Sequence, residues 1–333
     1  VDHHAHLLRV AAGELPPYGE PGDLSRVAAF HRSVSVRGIT PMDVEMPLTP
    51  QEDLPGALYK GLHEANRLGL VQVTEAGMTD WAYMDALRVL RDRGDLPVRY
   101  RLFVASGLAE PKRLAREGDP RLEIEGVKFY ADGWVGPRTC ALCAPFADSH
   151  DGDDGILFLD ALTLSRRAEP FAARGWAIAT HAIGDRAIEA VLDAYENIYG
   201  AECAAAAPRI EHAQVLTPHL IERMAHLGVV ACIQPGFAHS DAATARAGLG
   251  AKRMEHAYRW DQLLDAGVRV ITGSDYPIEV LSPLDGLAKL AEQLDLDTAL
   301  ALMTDASAGT TVLSADPHDA PFSEIEVEET VPA

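Results

Sequence analysis

Short apolar runs rich in β-branched residues alternate along this chain with amphipathic stretches, and this alternation constrains the fold more than any other feature. We predict eight strands from these runs. They cover residues 1–7, 70–76, 98–105, 124–131, 176–181, 209–215, 229–234 and 268–273. Strands that alternate with helical segments form parallel sheets, because a parallel neighbour is reached only through a crossover connection. The sequence therefore predicts an α/β fold with a parallel sheet.

Amphipathic helices are predicted between most of these strands. In residues 185–199, apolar side chains lie at the i, i+3, i+4 and i+7 positions of one helical face. They are Ile188, Val191, Leu192 and Tyr195. Similar patterns predict helices at residues 57–68, 83–93, 161–174 and 218–227. Five glycines that favour a left-handed helix end each stand just before a predicted strand: Gly69, Gly94, Gly175, Gly228 and Gly267.

Eight strands separated by crossovers favour a closed (β/α)8 TIM barrel, which the length of 333 residues also suits. The alternative is an open doubly wound sheet, but the sequence has neither the GxGxxG motif nor the P-loop typical of that fold. We assign residues 1–308 to the barrel. Residues 309–333 alternate like strands and are predicted to form a C-terminal β segment, part of a β-sandwich. Residues 13–56, rich in proline, glycine and polar residues, are predicted to form a long loop.

Composition excludes several classes of function. The chain has 29 Lys and Arg against 50 Asp and Glu, a net charge of −21. Nucleic-acid and anionic-membrane binders need basic surfaces, so neither partner is expected. Four cysteines are too few for a disulfide scaffold and favour a reduced, cytoplasmic setting. The sequence shows no apolar run long enough to span a membrane and no signal peptide.

A histidine cluster opens the chain and is the first candidate for chemistry. Side chains alternate along a strand, so His4 and His6 are predicted to share a face that His3 does not. Two imidazoles spaced in this way can bind one metal ion. The alternative is an exposed histidine-rich tail without function.

Four further candidates lie at or near the ends of predicted strands, and each has a structural alternative. Lys128 lies in an apolar run, where a buried ammonium needs a partner or a modification. His181 fits a core histidine with satisfied hydrogen bonds, His212 fits a partner of Glu211, and Asp275 fits a helix cap. Their common position favours function, because catalytic groups meet at the C-terminal ends of barrel strands. Four His, one Asp and one Lys also suit a divalent metal such as zinc.

Four segments resemble the amidohydrolase superfamily of metal-dependent hydrolases, and most closely the branch that contains N-substituted formamide deformylase. These segments are residues 128–133 (KFYADG), 180–186 (THAIGDR), 210–214 (IEHAQ) and 273–277 (GSDYP). The resemblance implies two divalent metal ions, with zinc expected, and a carboxylated Lys128 that bridges them. It implies that His4, His6 and Asp275 hold one ion and that His181 and His212 hold the other.

The resemblance also implies the reaction, which is hydrolysis of a carbon–nitrogen bond in a small amide or N-formyl compound. Asp275 and Lys128 are then catalytic, with Asp275 moving the proton of the attacking water to the leaving nitrogen. Trp134 and Arg138, on the loop after the fourth strand, are candidate substrate-binding residues. Phe237 stands where this family often has a histidine, and members usually begin with a β-rich segment that this sequence does not show ahead of His4.

Other interpretations stay open at this point. The chain fits a deaminase or another hydrolase of the same superfamily, because barrels change chemistry through their loops. It also fits a truncated barrel that keeps the ligands but has lost activity. Cys140 and Cys143 form a lone CxxC pair, which we interpret as fortuitous, and Glu75 has no assigned role. A homodimer is compatible with the sequence.

Overall fold

The fold is known from a computed structural model, which describes residues 1–6 and 54–333. Eight parallel strands pair in the order in which they follow one another in the chain. They are β1 (Asp2–Ala5), β2 (Gln72–Met78), β3 (Arg99–Ala105), β4 (Leu122–Tyr130), β5 (Ala177–Ala182), β6 (Arg209–His212), β7 (Val230–Ile233) and β8 (Val270–Thr272). The prediction of a parallel eight-stranded barrel is confirmed.

The first strand and the segment after the last strand meet, which brings the two ends of the sheet together. The backbone N–H of His6 donates to the carbonyl of Tyr276 at 2.7 Å, and the N–H of Asp275 donates to the carbonyl of His4 at 2.7 Å. Ala5 and Tyr276 also form a parallel bridge. These contacts place the residues that follow β8 directly beside His4 and His6.

Helices connect most of the strands and cover the sheet. They are α1 (Leu54–Arg67), α2 (Trp81–Arg93), α3 (Ala161–Ala172), α4 (Asp185–Tyr199), α5 (Cys203–Ala206), α6 (Pro218–Leu227), α7 (Phe237–Ser240), α8 (Ala242–Met254), α9 (Trp260–Asp265), α10 (Pro283–Ala291) and α11 (Leu296–Met303). The helix ends follow the local chemistry. Asp80 caps the start of α2 by accepting from the N–H of Ala82, and Gly94 ends that helix with φ of 77°.

The C-terminal residues form a separate, antiparallel pair of strands, β9 (Gly309–Leu313) and β10 (Val327–Pro332). This pair packs on the turn between α1 and β2: the hydroxyl of Thr311 donates to the carbonyl of Gly69 at 2.8 Å. A side chain at Gly69 would meet Thr311 and Val327 at 3.1 Å, and its φ of 94° also favours glycine. Whether residues 309–333 are part of a β-sandwich stays a prediction.

Several predicted boundaries were wrong. The sixth strand ends at His212 rather than at residue 215, because His212 and Ala213 have φ of 75° and 44° and leave the extended conformation. Residue 7 and most of the predicted loop at 13–56 lie outside the described residues, while residues 54–56 begin α1. Within residues 1–6 and 54–333, no helix combines the length and the apolar character needed to cross a membrane.

Candidate metal centre

The six residues predicted to bind metal lie at the C-terminal side of the barrel. His4 is in β1 and His6 follows that strand, while Lys128, His181 and His212 are in β4, β5 and β6. Asp275 follows β8 and is placed beside β1 by its backbone hydrogen bond to His4. All six residues are buried, with at most 9% of each residue's surface exposed.

His4, His6 and Asp275 form the centre of the site. The Nε2 atoms of His4 and His6 lie 3.2 and 3.3 Å from the same oxygen, Oδ1 of Asp275. Ligands about 2.0–2.1 Å from a tetrahedral zinc ion are separated by about 3.3 Å. The spacing between each imidazole nitrogen and this oxygen therefore fits two ligands of one divalent ion.

The opposite nitrogens of the two imidazoles contact carboxylates. Nδ1 of His4 lies 2.5 Å from Oε2 of Glu211, and Nδ1 of His6 lies 3.3 Å from Oε1 of Glu75. The hydroxyl of Tyr100 donates to the other oxygen of Glu75 at 3.0 Å. A carboxylate at Nδ1 favours the tautomer with the proton on that nitrogen, which leaves Nε2 as a metal ligand.

The charge state of Asp275 follows from its neighbours. Burial alone would raise the pKa of this carboxyl, but the facing imidazoles of His4, His6 and His212 hold the pKa well below its usual range. Burial alone would lower the pKa of the His6 imidazole. Hydrogen bonds to Asp275 and Glu75 outweigh burial, so that pKa is raised. Asp275 is therefore ionised near neutral pH, as a metal ligand or a proton acceptor must be.

His212 joins this centre through an unusual backbone conformation. Its φ of 75° turns the imidazole towards His4 and His181, with ring centroids 5.1 and 4.6 Å away. Atoms of His4, His212 and Asp275 that can bind metal lie within 4.8 Å of one another. Nδ1 of His212 is buried and has no hydrogen-bond partner among residues 1–6 and 54–333. Burial, together with the nearby His181, lowers the pKa of His212 well below its usual range, so the ring is neutral.

His181 and Lys128 complete the predicted set. Nε2 of His181 lies 2.8 Å from the carbonyl oxygen of Gly133, which leaves Nδ1 for another ligand. Nζ of Lys128 lies 3.4 Å from the carbonyl of Ala76 and 4.8 Å from the ring centre of Tyr130. Within the described part of the chain, Lys128 has no ion pair with a carboxylate. Burial lowers the pKa of its amine.

The two predicted substrate-binding residues differ in their surroundings. The guanidinium of Arg138 binds the carboxylate of Asp148 at 2.6 Å and the carbonyl of Val135 at 2.6 Å, so its contacts stabilise the loop after β4. The side chain of Trp134 on the same loop is 36% exposed. Phe237 of α7 reaches the site, with its ring 6.0 Å from that of His212. Cys140 and Cys143 are not disulfide-bonded.

Sequence reasoning missed two buried carboxylates that support the site. Glu211 contacts His4, whereas we had considered it as a partner of His212. Asp132 accepts hydrogen bonds from the N–H groups of Ala141, Ile183 and Gly184, which ties the loops after β4 and β5 together. The available signal was position: each carboxylate stands next to or within a segment that carries a predicted ligand.

Parallel (β/α)8 barrels carry their catalytic groups at the C-terminal ends of the strands, and imidazoles with a carboxylate at that end suit a divalent metal ion. The model of the Amidohydrolase family matches residues 34–315. The chain belongs to this family, whose members are typically metal-dependent.

Similarity to individual proteins is partial. YtcJ of Bacillus subtilis (strain 168), provisionally named an amidohydrolase, is 35% identical over 195 residues, 58% of this chain and 36% of YtcJ. Protein LONG AFTER FAR-RED 3 of Arabidopsis thaliana is 30% identical over 52% of this chain and 30% of its own length. N-substituted formamide deformylase of Arthrobacter pascens is 36% identical over 110 residues, which are 32% of this chain and 20% of the deformylase. The matches thus span about a third or less of these curated relatives.

Solved structures share the fold. An uncharacterised metal-dependent hydrolase from Pyrococcus furiosus has a TM-score of 0.71 at 20% identity, over 91% of this chain and 80% of that one. Another metal-dependent hydrolase, from Pyrococcus horikoshii, has a TM-score of 0.65 at 26% identity, over 75% of this chain and 53% of that one. Ochratoxinase of A. niger has a TM-score of 0.58 at 14% identity, over 98% of this chain and 80% of the ochratoxinase chain.

Proposed function

We propose that this protein is a metal-dependent hydrolase that cleaves a carbon–nitrogen bond in a small amide or N-formyl compound. The observation that carries the proposal is the approach of Nε2 of His4 and Nε2 of His6 to one oxygen of Asp275. The partial similarity to N-substituted formamide deformylase supports the choice of bond. The net charge of −21 supports a small molecule rather than nucleic acid or an anionic membrane as the partner.

Two divalent ions, with zinc as the expected metal, fit the donor set. His4, His6 and Asp275 would hold the first ion, and His181 and His212 the second. Nδ1 of His212, which is buried and has no hydrogen-bond partner in the described part of the chain, supports a ligand role. The contact of His181 with the carbonyl of Gly133 also supports one, because metal-binding histidines commonly donate their other N–H to such a group.

Lys128 would bridge the two ions as a carbamate. Carbon dioxide reacts only with a neutral amine, and burial lowers the pKa of Lys128 towards that state. Addition of the amine nitrogen to the carbon of carbon dioxide releases one proton and converts a buried base into an anion. An anion at this position would balance the charge of two cations, whereas an ammonium would repel them.

The chain's own residues then account for the proton movements. A divalent ion in this site supplies a water of lowered pKa and polarises the substrate carbonyl. The ionised carboxylate of Asp275 accepts the proton that the attacking water loses. It returns this proton to the nitrogen as the carbon–nitrogen bond breaks, which yields a carboxylic acid and an amine. Phe237 offers apolar surface beside His212 for the substrate, and the exposed Trp134 on the loop after β4 is a further candidate contact.

The experiment measures metal and activity together. The protein is loaded with zinc and tested on a panel of amides, N-formyl compounds and amino-heterocycles. We expect amine release from an amide or N-formyl compound, loss of activity after chelation, and recovery with zinc. Ammonia release from an amino-heterocycle alone would indicate a deaminase. A protein with full zinc content that hydrolyses no member of the panel would contradict the proposal.

A further inference from the structure

A second buried cluster lies behind His4, on the side away from Asp275. It contains Glu211, Arg209 and Cys232, whose side chains are buried or nearly so. Donor atoms of His4, Glu211 and Cys232 lie within 4.8 Å of one another, which is a spacing that three metal ligands also show. The role of this cluster therefore depends on whether a metal ion or an arginine neutralises the carboxylate of Glu211.

The guanidinium of Arg209 already occupies the position of a cation. Its Nε and Nη2 atoms lie 2.9 and 2.7 Å from Oε1 of Glu211. The other oxygen of Glu211 faces Nδ1 of His4 at 2.5 Å. Each carboxylate oxygen thus has a donor of its own, and burial keeps Cys232 as a thiol by raising its pKa. The cluster is complete without a metal ion.

Arg209 also holds the strand that carries the histidines. Its Nη2 donates to the backbone carbonyl of His3 at 2.9 Å, and its guanidinium carbon lies 4.8 Å from the ring centre of Phe103. Strands β1 and β6 are not neighbours in the sheet, so these contacts cross the inside of the barrel. One arginine therefore links the backbone of β1 to the carboxylate that contacts the His4 ring.

We propose that Arg209 and Glu211 are positioning residues that hold His4 with its proton on Nδ1 and with Nε2 directed at Asp275. The inference rests on the proposed function, because it assigns Nε2 of His4 to a metal ion. Glu211 fixes the rotation and the tautomer of the ring, and Arg209 fixes Glu211 and β1. Two guanidinium nitrogens of Arg209 converge on Oε1 of Glu211, which restricts the rotation of that carboxylate more than a single hydrogen bond would.

The test compares zinc affinities, measured by competition with a chromophoric chelator and without any substrate. Glu211→Gln keeps the length of the side chain and removes its charge, while Glu211→Asp keeps the charge and withdraws it from His4. We expect both variants to bind zinc about 10- to 100-fold more weakly, the usual effect of losing a carboxylate behind a histidine ligand. Affinities within about twofold of wild type in both would overturn the inference.

Glu117→Gln is the matched control. Glu117 is likewise bound by arginine side chains, Arg88 at 2.6 Å and Arg91 at 3.0 Å, but its ion pairs within the described residues include no histidine. Its loss therefore removes an arginine–carboxylate cluster of similar kind without touching the site. We expect zinc affinity within about twofold of wild type in this variant. An equal loss of affinity in Glu117→Gln would mean that general destabilisation, not positioning, explains the effect, and would overturn the inference.

A second measurement needs no folded Glu211 variant. In the metal-free wild type, the ring nitrogen shifts of ¹⁵N-labelled histidine report which nitrogen of His4 carries the proton, with the signal assigned by its absence in His4→Asn. We expect the proton on Nδ1. A proton on Nε2 would overturn the inference. Failure of the wild type to bind zinc at all would instead contradict the proposed function, so the two failures are distinguishable.

Discussion

Glu211 and His212 are consecutive residues, yet both side chains reach the ring of His4. Oε2 of Glu211 contacts Nδ1 of His4 at 2.5 Å, and the ring of His212 lies 5.1 Å from the His4 ring. Neighbours in a regular strand point to opposite faces, so this requires the extended conformation to break at His212. The φ of 75° at His212 provides that break. Backbone in this region is costly for residues other than glycine and concentrates at functional sites.

The same left-handed conformation occurs at Ala207, outside the site, where its cost can be measured. Ala207 follows α5 with φ of 45°. We expect Ala207→Gly to raise the free energy of unfolding by about 0.5–1 kcal/mol, because the relief of a strained alanine exceeds the extra chain entropy of glycine. Urea denaturation measures the change. Ala205→Gly, within α5, should lower stability by about 0.5–1 kcal/mol, and a loss in both variants would contradict the prediction.

Lys128 should destabilise the metal-free protein. It is 1% exposed, has no carboxylate partner within the described residues, and has a pKa lowered by burial. We expect Lys128→Met to raise the free energy of unfolding in the presence of a chelator by about 1 kcal/mol or more. The same change should abolish hydrolysis.

Lys289→Met is the control for Lys128→Met, since Lys289 forms an ion pair with Asp285 at 2.8 Å near the surface. This control should not gain stability. Urea denaturation of the metal-free proteins decides the outcome, and a Lys128→Met variant less stable than wild type would refute the interpretation of Lys128 as an unpaired buried amine.

Asp241 makes the stability of the fold depend on pH, and this effect does not involve the predicted metal ligands. Burial, with a contribution from the charge of Glu279, raises its pKa from 3.8 to about 6. Because the folded-state pKa is the higher one, the folded protein keeps a proton that the unfolded chain loses between these values. Stability therefore falls as the pH rises through this range, and the full cost of the charge is present above pH 6.

Asp241→Asn should remove this cost. We expect it to raise the free energy of unfolding at pH 7.5 by about 1–2 kcal/mol, after allowance for solvent screening, and by less near pH 4. Denaturant titrations at several pH values measure the difference. Asp295→Ala should have the opposite effect at pH 7.5, because Asp295 caps α11 by accepting from the N–H of Thr298 at 2.9 Å. Equal gains at both pH values would argue against a titrating Asp241.

The number and order of the barrel strands could be predicted from sequence, because short apolar runs alternate with amphipathic helices and five of the eight strands follow a glycine that ends a helix. The residues at which the strands end could not be predicted in this way. Residues 209–215 are predicted as one strand, but the turn at His212 depends on what the ring meets across the barrel. Local propensity carries no information about such contacts.

The site shows the same division between local and distant information. Candidate metal ligands at strand ends, such as His4 and His6, can be predicted from their spacing in the sequence. The partners of those residues could not, because Glu211 and His4 are 207 residues apart in the chain. Asp275 illustrates the limit: a helix cap was a reasonable local alternative, but α10 is capped by Ser282, and Asp275 instead faces two imidazoles.

The most direct test of this account is anomalous diffraction at the zinc edge from crystals grown with zinc. We predict an anomalous peak about 2.0–2.2 Å from Nε2 of His4, Nε2 of His6 and an oxygen of Asp275. Zinc bound elsewhere, with these three atoms lacking a shared ion, would contradict the account.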